Sequence, residues 1–137
     1  MAANNKSFVK TIKIPIYGAL LTVHIGPTNS LRDSLKKQGI KVGYELENEL
    51  NVDSVGGTCA LSNGHIVVFV HTDDKRYIHH HAVLIHELFH ATCHILHKRG
   101  VKLTDDSEEA FAYLLSYITE QVMGNEPTRA ANKRRRV

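Results

Sequence analysis

Cysteine is scarce: Cys59 and Cys93 are the only two, too few for a scaffold stapled by disulfides. Cys93 falls within an apolar stretch of helical spacing and reads as a reduced core residue. No apolar run approaches the roughly 20 residues that a bilayer requires. Residues 1–6 are followed by no apolar segment that would serve as a signal peptide. These absences together predict a cytoplasmic protein with no membrane partner. Repeats are missing too, and 137 residues suit a single domain. Charge of one sign is scarce except at one end. Residues 125–137 hold Arg129, Lys133, Arg134, Arg135 and Arg136 against Glu126 alone. Without them, the 17 basic and 14 acidic residues fall to 12 and 13, so the body is close to neutral. We expect a domain over 1–124 and a disordered basic tail over 125–137, which offers a nucleic acid the cations to grip phosphates.

What is present alternates between strand and helix signals. Val9 to Ile14 alternates, and Ala19 to Ile25 is a second apolar segment beyond Pro15 and Gly18. These are two strands, or one interrupted. Asn29 or Ser30 caps a short helix that runs to about Gln38 and stops at Gly39. Residues 40–51 fit a strand or a short helix about equally. A strand over 55–61, a turn at Ser62-Asn63-Gly64 and a strong strand over 65–71 suggest a hairpin. Thr72, Asp73 and Asp74 are cap candidates for the helix that follows, and their charge suits its dipole. After Gly100, Thr104 to Ser107 open a second helix running to about Met123, apolar nearly all round and expected to be buried. The fold class is α+β: a small antiparallel or mixed sheet packed on one long helix and the C-terminal helix after it.

The long helix carries His86-Glu87-Leu88-Phe89-His90. Residues four apart share a helix face, so His86 and His90 can aim two imidazoles at one metal ion. Glu87 is turned about 100° from His86, beside that point, where a base acting on a water ligand should lie. Zn²⁺ is the expected cofactor. A catalytic zinc needs a third protein ligand. His94 lies about 12 Å along the axis from His86 and cannot converge with both imidazoles. The pattern with a glycine break and a third histidine fails as well, because Cys93 and Leu96 occupy those positions. What remains is a carboxylate of the next helix, Glu109 or Glu108. Glu109 shares a face with Tyr113 and Ser116, and Glu108 points some 100° away.

With Glu109-Ala110 opening a helix downstream of His86-Glu87-x-x-His90, the chain resembles the gluzincin metallopeptidases. The segment from Glu108 to Leu114 is also similar to small predicted metallopeptidases of tailed phages, which would place the protein in host cytoplasm. The resemblance covers roughly residues 65–120 and implies a minimal zincin-like domain. It implies His86, His90 and Glu109 as metal ligands and Glu87 as general base. It further implies that the strand over 65–71, through Val68, Phe69 and Val70, receives a peptide by edge pairing. Tyr113 stands where many gluzincins carry an Asp.

The expected activity is hydrolysis of a protein or peptide substrate, more as an endopeptidase than as an exopeptidase. Tyr113, Tyr117, His94 and His71 are candidates to stabilise the oxyanion. His79, His80 and His81 diverge around the helix and read as a solvated start. The alternative is a catalytically silent module, stabilised by zinc, that binds protein or nucleic acid.

Overall fold

Alternating residues build β1 (Phe8–Ile14), and Pro15 ends it because proline has no N–H for the ladder. Pro15–Tyr17 form a 3-10 turn, and Gly18 reverses the chain at φ 62°, a conformation open to glycine. β2 (Ala19–Gly26) then returns antiparallel to β1, Ala19 opposite Ile14. Two short helices follow, α1 (Leu31–Lys37) and α2 (Tyr44–Leu50), so the ambiguous segment 40–51 is helical over 44–50. β3 (Gly56–Ala60) and β4 (His65–His71) form the expected hairpin. The sheet is mixed, in the order β1-β2-β4-β3, with β4 parallel to β2. This computed structural model describes residues 7–76 and 79–124. The loose N-terminal end, Tyr77 and Ile78 of the motif stretch, and the basic tail with its nucleic-acid role lie outside those residues.

The central position of β4 explains its apolar run, since Ile66, Val67, Val68, Phe69 and Val70 are each buried. It also corrects the expected substrate strand. Val68 faces Val23 of β2 on one side and Thr58 of β3 on the other. Val68, Phe69 and Val70 therefore have no free edge for a peptide. Among the described residues, the edge strand next to β4 is β3.

Helices cover both faces of the sheet. Ile12, Ile14, Leu21, Val23, Ile66, Val68 and Val70 pack against α3 (His80–Lys98) and α4 (Glu108–Met123). This is the α+β arrangement expected from the motif helix and its successor. On the opposite face Cys59, Val67 and Phe69 meet Leu31, Leu35, Ile40 and Leu46, giving a further layer that was not expected. Nor is α4 buried all round. Phe111, Leu114, Ile118 and Val122 form one buried stripe, while Tyr113 and Tyr117 are 71% and 41% exposed. The acids ahead of α3 do not cap it: Asp73 accepts bonds from Thr28, and Asp74 holds Arg76. His79 stands at the helix start without a side-chain capping bond.

The face toward α1 contains a charge-sensitive pair. His24 is fully buried, its Nδ1 without a hydrogen-bond partner and its Nε2 3.3 Å from Ser30 Oγ. Burial, helped by the neighbouring His71, pushes its pKa from 6.5 down to about 4. Burial lowers His71 as well, against the opposing pull of Asp73 and Asp74. The folded state thus keeps His24 neutral where the unfolded chain binds a proton. Its contribution to stability is complete above pH 6.5 and is lost as the pH falls toward 4. The loss expected from His24 is on the order of 3 kcal/mol. Urea unfolding at pH 7 and at pH 4.5 should show it, and His24→Gln should flatten the difference.

Candidate metal centre

Leu84, Leu88, Ala91 and Ile95 turn one side of α3 into the core. His86 and His90 stand two residues before and after Leu88, about 200° around the axis, and so face outward. Both are exposed. Their Nε2 atoms are 3.1 Å apart, with ring centroids 4.8 Å apart and planes at 72°. Two imidazole ligands on a tetrahedral zinc, each at 2.0–2.1 Å, would hold their nitrogens roughly 3.3 Å apart. The pair is therefore spaced to share a cation with little movement, and the donor chemistry suits zinc.

Glu87 occupies a different environment. It is only 9% exposed, and its Oε2 lies 3.9 Å from His86 Nε2. Ligand atoms of His86, Glu87 and His90 all fall within 4.8 Å of one another. No other set of three His, Cys, Asp or Glu side chains converges in this way among the described residues. Thr58 on β3 fixes the carboxylate: its Oγ1 donates to Glu87 Oε1 at 2.9 Å and lies 3.0 Å from the Glu87 backbone oxygen. Sequence reasoning missed Thr58. The strand was legible, but its alignment against α3 depends on packing between segments 29 residues apart.

A cleft of about 270 Å³ opens beside the carboxylate. It is lined by Glu87, His90 and His94 of α3, by Gly56, Gly57 and Thr58 of β3, and by Glu49 and Val52. Of the proposed oxyanion partners, His94 borders this cleft. Tyr113 and Tyr117 lie on the exposed face of α4, and His71 is buried beneath the sheet beside Phe69. His79, His80 and His81 are exposed at the start of α3.

Glu109 and Glu108 are exposed in the first turn of α4, and neither belongs to the converging group. The reason lies in the length of α3. It continues eight residues beyond His90 to Lys98, about 12 Å along the axis, before the chain turns back. α4 consequently meets α3 first near its far end, where the Phe111 ring is 5.9 Å from that of His97. Glu49, on the cleft wall, is a carboxylate that the sequence did not suggest.

No family model, curated protein or solved structure matches the chain. No described helix is long and apolar enough to cross a membrane.

Proposed function

We propose that this chain is a zinc-dependent endopeptidase, a minimal member of the gluzincin type that it resembles. The observation that carries the reading is the composition of one helical turn. Two exposed imidazoles face each other at 3.1 Å, with a buried, anchored carboxylate beside them. A structural zinc site has no use for that carboxylate.

His86 and His90 would hold the metal, and a carboxylate would serve as the third protein ligand. When bound, zinc would lower the pKa of a water ligand to about 7 and polarise a peptide carbonyl. Glu87 accepts the proton of the attacking water and returns it to the leaving amine. Thr58 holds Glu87 in the rotamer that keeps its free oxygen toward the imidazoles. His94, one turn beyond His90, offers an N–H at the cleft where charge develops on the carbonyl oxygen. The substrate backbone runs along β3 in this reading, because β4 is paired on both sides.

Metal analysis tests the ligand set. Wild type should retain a single zinc per chain after dialysis, and His86→Ala or His90→Ala should lose it. Zinc titration of Glu109→Ala and Glu49→Ala then identifies the third ligand. The resemblance predicts a weakening of roughly 100-fold for Glu109→Ala, and the cleft lining predicts it for Glu49→Ala. Equal affinities for wild type and His86→Ala would remove the metal centre altogether.

A further inference from the structure

We propose that the cavity at the C-terminal end of α3 is a carboxylate subsite, which takes an acidic side chain of an extended peptide lying across the His86–His90 pair. The identity of that peptide as substrate rests on the peptidase reading; its binding does not.

The cavity measures about 490 Å³, opens to solvent, and is lined by the β1–β2 turn and start of β2, the β3–β4 turn and the last two turns of α3. Lys98, Arg99, His65, His94 and His97 contribute to its lining, and no Asp or Glu does. Arg99 donates from Nε and a terminal nitrogen to the Tyr17 carbonyl at 2.9 and 2.7 Å. That neutral acceptor positions the guanidinium without cancelling its charge. Lys98 has no acidic partner among the described residues. Its Nζ lies over the β3–β4 turn, where a Cβ on Gly64 would come within 2.5 Å of it. Cations at a helix C-terminus ordinarily answer the dipole. The dipole does not account for a hollow of this size from which every acid is excluded.

His94 borders both this cavity and the metal cleft, so the two lie side by side along α3. β3 passes from one to the other, with Gly56 to Thr58 along the cleft and Ala60 along the cavity. The path from His90 to Lys98 is about 12 Å along α3. An extended peptide covers that distance in three or four residues at about 3.3 Å each. The cleft lining includes Glu49 and Glu87, whereas the cavity lining includes no acid. The predicted substrate therefore has an acidic side chain three or four positions from the bond that is cut.

The test is an NMR titration of ¹⁵N-labelled, full-length Glu87→Gln protein loaded with zinc. The probes are N-acetyl-Ala-Asp-Asp-Ala-amide and its Asn-Asn counterpart. The Asp peptide should cause saturable shifts of the Gly18, Gly64 and Lys98 amides. Affinity should fall roughly fivefold for the Asn peptide, and equally for the Asp peptide with Lys98→Met. Absent shifts, equal affinities for the two peptides, or no effect of Lys98→Met would overturn the subsite. So would inorganic phosphate that displaces the Asp peptide at lower concentration than the peptide needs to bind. Digestion of a peptide library by wild type separates this claim from the one beneath it. Cleavage without acidic preference removes the subsite alone, whereas carboxylate binding without any cleavage removes the peptidase reading alone.

Discussion

Glu87→Gln is expected to lower peptide turnover by about 10²- to 10⁴-fold while the zinc stays bound. The amide fills the same space and keeps an oxygen for the Thr58 hydroxyl, which donates to Glu87 at 2.9 Å. His86 and His90 are untouched, so metal content and melting temperature should match wild type within error. What the variant loses is the ability to accept a proton. Thr58→Val provides a graded companion: the carboxylate remains but is free to rotate, and turnover should fall by roughly tenfold. Both assays need a library substrate and a zinc determination on the same preparation. A Glu87→Gln protein that cleaves as well as wild type would end the general-base assignment. If wild type itself cleaves nothing and both proteins hold a partner equally, the chain is a zinc-stabilised binding module.

How much of this was legible beforehand depends on distance along the chain. The helix containing His86, Glu87 and His90 could be read because its period and its ligand spacing are local properties. The hairpin of β3 and β4 could be read for the same reason, with Asn63 and Gly64 marking the turn. Placing β4 at the sheet centre could not, since that depends on β2 pairing with it across about 40 residues. The apolar run Ile66 to Val70 is itself the signature of a strand buried on both faces. Edge pairing was inferred for it from a resemblance, against that signature. Residues 40–51 gave no clear period, because α2 buries little more than Leu46 and leaves Tyr44 exposed. Glu49 was therefore overlooked. Glu109 illustrates the opposite limit: a helix pair was foreseen, but the length of α3 beyond His90 decides where α4 begins to meet it.

Leu88→Ala should destabilise the fold by about 2–5 kcal/mol without removing the metal ligands. Leu88 sits between His86 and His90 in sequence, yet it is fully buried on the opposite side of α3, in the core shared with the sheet. Truncation leaves a cavity there, and the rigid strands beneath cannot collapse to fill it. Phe89→Ala, one position on, should cost far less, because Phe89 is already 38% exposed. The contrast separates the two duties of a single helical turn. If the imidazoles form a metal centre and the unfolded chain does not bind zinc, zinc at about 100 times its dissociation constant should restore roughly 2.7 kcal/mol to Leu88→Ala. The double variant His86→Ala/Leu88→Ala should show no such recovery. Urea unfolding with and without zinc measures both quantities at once. Recovery of the double variant to the same extent would place the zinc elsewhere on the molecule and separate the motif from the metal.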